Sequence, residues 1–301
     1  MRSSGRDQIA LNKKKTLINL LLQKYPAITS DKWRIKALSG ASGGSFYAEA
    51  TANIKLIARF AGKDQRLLGI NRQKERKILH QLTQFIAAPK VLGANNDWLL
   101  LEWMEGKAVT DTAYSLLELY QPLSRILASL HSSPLSGYTL HLKQHLASYW
   151  YQSYWYQIDR RRLSVNWLNL HHFFQHACQP KTSKKVLSHL DIHSGNVLLT
   201  DNGTLRLLDW EYAADCDSAF ALATLFATNS WDKNEQSQFL QHYCQQLHAY
   251  NDFYKLNQQV LLWQPWVNYM RMIWYEVRWM QTKDPQYIAL AQPIRICFGL
   301  I

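Results

Sequence analysis

One stretch in the second half of the chain constrains the fold more than any other. Asp191 is followed five positions later by Asn196, and then by two apolar runs that are joined across Asn202-Gly203. An Asn-Gly pair between apolar runs is the strongest short-range signal for a β-hairpin, because both central positions of the favoured turn take positive φ. The hairpin would return the chain to its starting point. We therefore expect Asp209, which follows the second run, to lie beside Asn196.

The side chains that this hairpin would gather suit phosphoryl transfer. Amide and carboxylate oxygens are ligands that Mg²⁺ prefers, so Asn196 and Asp209 are candidate metal ligands. The loop carboxylate, Asp191, could accept or orient the proton of an attacking hydroxyl group. The alternative is that Asp191 and Asn196 only form a turn, which explains each residue singly but not their joint spacing.

Composition places the chain among globular proteins that have an anionic partner. The 301 residues could form one large domain or two lobes, and 47% of them are hydrophobic while 19% are charged. The net charge of +12 suits nucleotide phosphate, nucleic acid or a membrane surface. The lysines are mostly scattered, with no run longer than Lys13-Lys14-Lys15, so we favour a nucleotide and expect neither nucleic acid nor membrane.

The cysteines and the apolar runs indicate a soluble, cytoplasmic protein. No pair of cysteines has the spacing of a metal site or a redox motif, so we expect reduced thiols. The basic N-terminal residues lack the apolar segment of a secretory signal, and no apolar run approaches the length of a membrane span.

The first third of the chain has the pattern of a small sheet. After a basic tail over residues 1–15 and a short helix over 16–25, alternating and apolar runs from Trp33 to Phe60 predict three strands. A glycine-rich turn separates the first two, and its backbone N–H groups could approach phosphate oxygens without obstruction by a Cβ atom. The candidate residues in this turn are Gly40, Gly43, Gly44 and Ser45. The pattern leaves open which glycine makes the contact, and an ordinary hairpin loop is the alternative.

Two charged residues of this region are candidates for the nucleotide side of a site. Arg59 lies on the third predicted strand, and Glu75 lies on a predicted helix over residues 71–84, where it could hold Arg59 in register. The alternatives are an edge-strand arginine that faces solvent and a solvated glutamate. Two further strands, over residues 87–92 and 98–104, complete the predicted sheet before Glu105-Gly106 breaks the pattern.

Beyond Gly106 the apolar period is helical nearly throughout. The predicted helix over residues 260–281 is apolar on two faces and carries Glu276 among aromatic side chains. A buried carboxylate needs a partner, which is either Arg278 or another structural arginine, or the cation of a substrate. Aromatic faces beside a carboxylate bind organic cations. The few acids after Tyr212 disfavour an aminoglycoside, which carries several ammonium groups.

The spacing H-x-D-x-x-x-x-N with a later aspartate, from His189 to Asp209, resembles the catalytic loop and the metal-binding aspartate of protein kinases. The closer resemblance is to the small-molecule branch of that superfamily, the choline, aminoglycoside and thiamine kinases. Within it, segments 208–213 and 274–284 are similar to those of the bacterial thiamine kinases. Residues 149–150 and 166–168 fit the same family, and the likeness runs from about Leu38 to Gln292.

The resemblance implies an α+β, bilobal protein-kinase-like fold, with a small antiparallel-sheet N-lobe and a mainly helical C-lobe. The expected division is a basic extension and short helix over 1–30, a nucleotide-binding N-lobe over 31–105, and a catalytic and substrate-binding C-lobe over 106–301. The implied reaction is ATP-dependent and Mg²⁺-dependent phosphorylation of the primary hydroxyl of thiamine. The alternatives are a kinase for choline or another organic-cation alcohol, and a pseudokinase that only binds a partner. We expect a monomer.

The resemblance also assigns roles to named residues. Asp191 would align the substrate hydroxyl, His189 would brace the catalytic loop, and Asn196 and Asp209 would hold Mg²⁺. The nucleotide-binding candidates are Gly40, Gly43, Gly44, Ser45, Arg59, Glu75, Glu102 and Met104, of which the last two belong to a segment that would bond the adenine edge. The substrate-binding candidates are Glu211, Tyr212, Tyr269, Trp274, Glu276 and Trp279. For Glu211 the alternative is a further carboxylate on the metal side. Protein kinases carry lysine where this chain has Arg59, so the resemblance is loosest on the nucleotide side.

Overall fold

The computed structural model describes residues 5–38, 44–51, 53–155, 165–181, 183–246 and 252–300. The chain divides into two compact units. The first contains Met1–Arg66 and Ile70–Glu105, and the second contains Leu67–Gly69 and Gly106–Ile301. Two of the glycines proposed for phosphate contact, Gly40 and Gly43, lie outside the described residues.

The first unit is built on a five-stranded antiparallel sheet with strand order β1-β2-β3-β5-β4. Its strands are β1 Arg34–Ala37, β2 Ser45–Thr51, β3 Ile54–Phe60, β4 Val91–Ala94 and β5 Trp98–Glu102, and its helices are α1 Gly5–Lys24, α2 Lys63–Leu67 and α3 Arg72–Gln81. All five predicted strands are present, although β4 begins at Val91 instead of residue 87 and β5 ends at Glu102 instead of residue 104. Strand β3 lies at the centre, because it pairs with both β2 and β5.

Helix α1 corrects the prediction for the N-terminus. The predicted tail over residues 1–15 is wrong from Gly5 onwards, since α1 begins there and continues to Lys24. Its second half is anchored by the side chains of Leu17 and Leu21, which are fully buried in the core of the unit. Once that half is fixed by packing, each residue of the preceding turns adds one backbone hydrogen bond to the helix. The sequence of these turns contains no proline, which would end the helix.

The second unit is mainly helical. Its helices are α4 Tyr120–His131, α5 Leu142–Trp155, α6 Val165–His176, α7 Ser218–Thr228, α8 Lys233–Gln246, α9 Phe253–Thr282 and α10 Gln286–Cys297, and its strands are β6 Lys107–Ala108, β7 Lys185–Ser188, β8 Val197–Leu199, β9 Leu205–Leu207 and β10 Ala214–Asp217. Helix α9, whose two apolar faces predicted either burial or the lining of a pocket, carries buried side chains from Leu256 to Arg278 and packs against α5, α7, α8 and α10. No helix in the described ranges is both long and apolar enough to cross a membrane.

The predicted hairpin is confirmed, but its turn differs from the prediction. Strands β8 and β9 pair antiparallel, and the backbone pairing extends to Thr200 and Thr204. Gly203 has φ 77°, whereas Asn202 does not have positive φ, so the loop is a three-residue turn. The side-chain oxygen of Asn202 accepts a hydrogen bond from the Thr204 N–H at 3.2 Å, which satisfies the chain without a left-handed residue at this position.

A two-stranded sheet supports the segment before the hairpin. Strand β7 runs directly into the loop that begins at His189, and it pairs antiparallel with β10. Asp217, at the end of β10, accepts hydrogen bonds from the N–H groups of Ala219 at 2.7 Å and of Phe220 at 3.4 Å. Asp217 therefore caps the following helix, α7.

Candidate active site

The loop between β7 and β8 places Asp191 and Asn196 in direct contact. The side-chain nitrogen Nδ2 of Asn196 donates hydrogen bonds to the carbonyl oxygen of Asp191 at 2.9 Å and to its carboxylate oxygen Oδ2 at 3.0 Å. Because both partners are acceptors, the amide group can have only this orientation. The amide oxygen Oδ1 of Asn196 therefore points away from Asp191, and its lone pairs could bind a metal ion.

His189 connects the loop with the segment after the hairpin. Its Nε2 donates to the carbonyl oxygen of Leu208 at 2.8 Å, and its Nδ1 accepts from the N–H of Asp191 at 3.3 Å. A carbonyl only accepts and an amide N–H only donates, so these partners fix the neutral tautomer with the proton on Nε2. The ring packs edge-on against Trp210, with 4.7 Å between centroids. His189 thus connects the Asp191 backbone with the Leu208 backbone, and its role as a brace of the catalytic loop stays a prediction.

Asp209 lies beside Asn196 because the hairpin returns the chain to it. The Leu208 N–H donates to the carbonyl oxygen of Asn196 at 2.8 Å, one residue before Asp209. Asp209 itself has φ 62° and ψ 68°, a left-handed conformation that is uncommon outside glycine and asparagine and that clusters at functional sites. Burial lowers the pKa of His193, and the Asp209 carboxylate partly opposes that shift, which places His193 close to Asp209 as well.

The donor set of this group suits a magnesium ion. Asn196 offers Oδ1 and Asp209 offers a carboxylate, and Mg²⁺ in phosphoryl-transfer sites binds one or two such groups and completes its shell with phosphate oxygens and water. Among the described residues there is no cluster of three or more His, Cys, Asp and Glu side chains that would suggest a transition-metal site. Two oxygen ligands from the protein are the number that Mg²⁺ commonly takes, because water and phosphate oxygens fill its other positions.

A chain of hydrogen bonds lies next to the loop. It contains two of the predicted substrate-binding residues, Tyr212 and Trp274, and two residues without a predicted role, Tyr149 and Leu68. The Trp274 indole Nε1 donates to the Tyr212 hydroxyl at 3.0 Å, the Tyr212 and Tyr149 hydroxyls are hydrogen-bonded, and the Tyr149 hydroxyl donates to the Leu68 carbonyl at 2.8 Å. An indole only donates and a carbonyl only accepts, so every proton of this relay points from Trp274 towards Leu68. Neither phenol has a proton left to donate elsewhere.

The charges of two carboxylates, Glu211 and Asp191, act on the phenols of this relay. Burial raises the pKa of Tyr149, and the charges of Glu211 and Asp191 add to that rise. The pKa of Tyr212 is raised by burial and then by Tyr149 and Glu211. Glu211 is itself buried, with 1% of its surface exposed. The structure therefore brings Asp191, Glu211, Tyr212 and Trp274 together and adds Tyr149, for which the sequence pattern gave no role because it lies in α5, far away along the chain.

The other three substrate candidates make contacts elsewhere in the second unit. Tyr269 is fully buried, stacks on Phe174 and is hydrogen-bonded to His171 Nδ1 at 2.8 Å. Glu276 Oε1 lies 3.9 Å from Arg295 Nη1, which agrees with the alternative of a structural arginine other than Arg278. The ring of Trp279 is covered by the Lys283 ammonium at 4.6 Å. For these residues a role in substrate binding stays a prediction.

In the first unit, the two charged candidates for nucleotide binding, Arg59 and Glu75, form an ion pair. Arg59 Nη1 lies 3.3 Å from Glu75 Oε1, and their side chains are 4% and 0% exposed. The alternatives of a solvent-facing arginine on an edge strand and a solvated glutamate are therefore wrong. Across the β2–β3 ladder, Arg59 pairs with Ser45, which follows Gly44 at the end of the glycine-rich turn.

The backbone around the glycine-rich turn explains one of its glycines. Gly44 has φ 81°, a conformation that side-chain-bearing residues rarely adopt. Its carbonyl oxygen accepts a hydrogen bond from the Phe60 N–H at 2.8 Å. This bond attaches Gly44 to the end of β3, one residue beyond Arg59.

The proposed adenine-binding segment is partly committed to the sheet. The Glu102 N–H donates to the Lys90 carbonyl at 2.9 Å. The Met104 side chain is buried, with 7% of its surface exposed. Any contact of this segment with an adenine edge must therefore use backbone groups other than the Glu102 N–H.

Comparisons with known proteins agree with this geometry. The model of a family described as phosphotransferase enzyme family matches residues 34–256. A thiamine kinase from Escherichia coli O157:H7 is 32% identical over 253 residues, which are 84% of this chain and 85% of that protein. A thiamine kinase from Shigella boydii serotype 4 has the same identity and coverage.

The fold is similar to that of a solved kinase. Choline kinase LicA from Streptococcus pneumoniae superposes with a TM-score of 0.70 at 18% identity, over 99% of this chain and 100% of that one. Together with the antiparallel sheet of the first unit and the helices of the second, this similarity confirms the predicted α+β protein-kinase-like fold.

Proposed function

Because the chain belongs to the phosphotransferase enzyme family, whose model matches residues 34–256, we propose that it transfers the γ-phosphoryl group of ATP to thiamine. The products are thiamine monophosphate and ADP. The 32% identity to thiamine kinases over 84% of the chain supports the choice of substrate. The contact between Asp191 and Asn196 beside Asp209 supports the chemistry and is the observation on which the mechanism depends.

Asp191 accepts the proton of the attacking hydroxyl in this mechanism. As the primary alcohol of thiamine approaches, its O–H donates to the Asp191 carboxylate and its oxygen forms a bond to the γ-phosphorus. The bond from that phosphorus to the bridging oxygen of ADP breaks, and the proton stays on Asp191 until solvent removes it. The Asn196 amide, through its hydrogen bonds at 2.9 and 3.0 Å, keeps the carboxylate in one orientation.

Asn196 Oδ1 and the Asp209 carboxylate are the ligands that would hold Mg²⁺. A bound Mg²⁺ ion supplies charge neutralisation for the phosphate oxygens in the transition state. His189 keeps the two ligand segments in register, since it bonds to both the Leu208 carbonyl and the Asp191 N–H.

Arg59 and the turn that ends at Gly44 and Ser45 are the proposed phosphate contacts of the first unit. A guanidinium group binds phosphate oxygens in a bidentate manner and stays charged at every physiological pH. Glu75 orients Arg59 through their buried ion pair.

Glu211, Tyr212 and Trp274 are the proposed contacts for the organic cation. The relay from Trp274 to Leu68 uses the hydroxyl protons, so Tyr212 offers a π face and lone pairs instead of a donor. Such a surface suits a ring with positive charge, for which a cation–π contact contributes about 0.5–2 kcal/mol.

A substrate panel tests this proposal. The purified protein is given ATP, Mg²⁺ and, in separate reactions, thiamine, choline, ethanolamine or an aminoglycoside, and ADP formation is measured with the phosphorylated product identified by mass. We expect thiamine to give the highest kcat/KM. A higher value with choline would reassign the substrate, and absence of ADP formation with every alcohol would contradict the proposal.

A further inference from the structure

Arg72 is the first residue of α3, and its position follows from the start of that helix. The side-chain oxygen of Asn71 accepts hydrogen bonds from two N–H groups of the first turn, at 2.9 and 3.1 Å, and so caps the helix. Residues three apart on a helix face the same way, which places Arg72 next to Glu75. The i,i+3 spacing was visible in the sequence, but only the structure shows that both side chains point into the unit.

Arg72 binds two elements at once. Its Nη1 donates to Glu75 Oε2 at 2.7 Å, and its Nε donates to the carbonyl oxygen of Phe60 at 3.3 Å. Phe60 ends β3, and its N–H donates to the carbonyl oxygen of Gly44. The Arg72 guanidinium therefore connects α3 with the end of β3, to which Gly44 is hydrogen-bonded.

Glu75 carries one arginine on each carboxylate oxygen. Arg72 lies at Oε2 and Arg59 at Oε1, and all three side chains are at most 5% exposed. Charge-assisted bonds in a buried setting are strong, and removal of one partner disturbs the others because the remaining charge stays buried. The orientation of Arg59 thus depends on how Arg72 holds Glu75.

We infer that Arg72 is a positioning residue for the phosphate groups of the nucleotide, acting through Arg59 and through the Gly44 backbone. This inference rests on the proposed role of Arg59 in phosphate binding. In this role Arg72 acts indirectly. It holds the Glu75 carboxylate and the Phe60 carbonyl, and these groups keep the two phosphate contacts in place.

This role makes the effect of Arg72 depend on the number of phosphates in the ligand. Loss of the Arg72 guanidinium would loosen the contacts to phosphate oxygens and leave the contacts to adenine and ribose unchanged. A lysine at this position keeps the charge but is a point donor, so it cannot hold Glu75 and Phe60 together with the same geometry. A general loss of folding would instead weaken the binding of every ligand equally.

The experiment measures binding of adenosine, ADP and ATP with Mg²⁺ by calorimetry, for the wild type and for the variants R72M, R72K and R76M. Arg76 lies on the same helix and is the matched control. We expect R72M to weaken ATP binding about tenfold or more, the size of one lost charged hydrogen bond, and adenosine binding less than about twofold. R72K should fall between R72M and the wild type, and R76M should match the wild type.

Equal weakening of adenosine and ATP, or unchanged ATP binding, overturns the inference. If R72M does not fold, R72K supplies the same comparison. The choice of acceptor does not enter these titrations, so a substrate panel that rejects thiamine leaves the Arg72 test intact. Failure of the wild type to bind ATP would contradict the proposed function itself and the inference with it.

Discussion

The side-chain nitrogen of Asn196 lies 3.0 Å from a carboxylate oxygen of Asp191, so a candidate metal ligand also orients the candidate proton acceptor. Nδ2 of the amide group holds Asp191, and Oδ1 is the atom that we propose as a ligand of Mg²⁺. This double use gives a reason for an asparagine at this position, because an aspartate would place two carboxylates in contact.

The substitution Asn196→Asp tests that relationship. It replaces the donor by an acceptor, and two carboxylates about 3 Å apart cannot both ionise easily, so one pKa of the pair rises. We expect the acid limb of the kcat profile to move to higher pH by about one unit or more and kcat at neutral pH to fall about 100-fold. Asn202→Asp, which makes the same change of charge in the exposed hairpin loop, is the control and should behave as the wild type. An unshifted acid limb in N196D would contradict the assigned contact.

Tyr149→Phe tests the relay beside the loop. The substitution removes both the acceptor for the Tyr212 hydroxyl and the donor to the buried Leu68 carbonyl, which should lower the free energy of unfolding by about 1–3 kcal/mol. Because the Tyr212 hydroxyl would lose the acceptor that orients it, we expect KM for thiamine to rise several-fold, while KM for ATP stays within about twofold.

The neighbouring Tyr151, which is 60% exposed on the same helix, provides the control variant Y151F. A Y149F enzyme that loses stability but keeps its KM for thiamine would show that the relay only supports the fold.

A buried histidine below the catalytic loop predicts how stability depends on pH. His131 Nδ1 lies 2.7 Å from the Tyr243 hydroxyl and Nε2 lies 3.2 Å from the Ser188 hydroxyl, one residue before the loop. Burial, with a smaller effect of Lys184, lowers the pKa of His131 from 6.5 to about 3. Below pH 6.5 the unfolded chain binds a proton that the folded chain does not, so this contribution to stability is complete above pH 6.5 and is lost as the pH falls towards 3.

We therefore expect the wild type to lose up to about 1.4 kcal/mol of unfolding free energy per pH unit below that value through His131 alone. Denaturant unfolding at neutral pH and at about pH 5, compared between the wild type and H131Q, measures the difference. H172Q, at an exposed histidine, is the control. A wild type and an H131Q variant with parallel pH profiles would contradict the buried, neutral state of His131.

How far the sequence predicted this protein depends on whether the signal is local. The hairpin, the strand that carries Arg59 and the helix that carries Glu75 all follow from short patterns, and the structure contains each of them. The spacing of Asp191 and Asn196 likewise predicted two polar groups in one loop, because five residues of chain limit how far apart they can be.

The remaining features depend on contacts between distant parts of the chain or on competition between local options. Tyr149 meets Tyr212 only because α5 packs against the helical core, and no pattern near Tyr149 indicates that contact. The N-terminal helix extends back to Gly5 because the burial of its second half stabilises a basic stretch that alone would favour no structure. The hairpin turn adopted a three-residue form because side-chain hydrogen bonds of Asn202 satisfy the loop.

The most direct measurement is thiamine-dependent ADP formation by the wild type and by D191N, with ATP binding measured on the same preparations. Asp191→Asn keeps the size of the side chain and removes the proton acceptor. We predict that kcat falls by a factor of about 10²–10⁴ while the Kd for ATP changes less than about twofold, since the carboxylate acts mainly in the transition state. A D191N enzyme that phosphorylates thiamine at the wild-type rate would contradict this prediction.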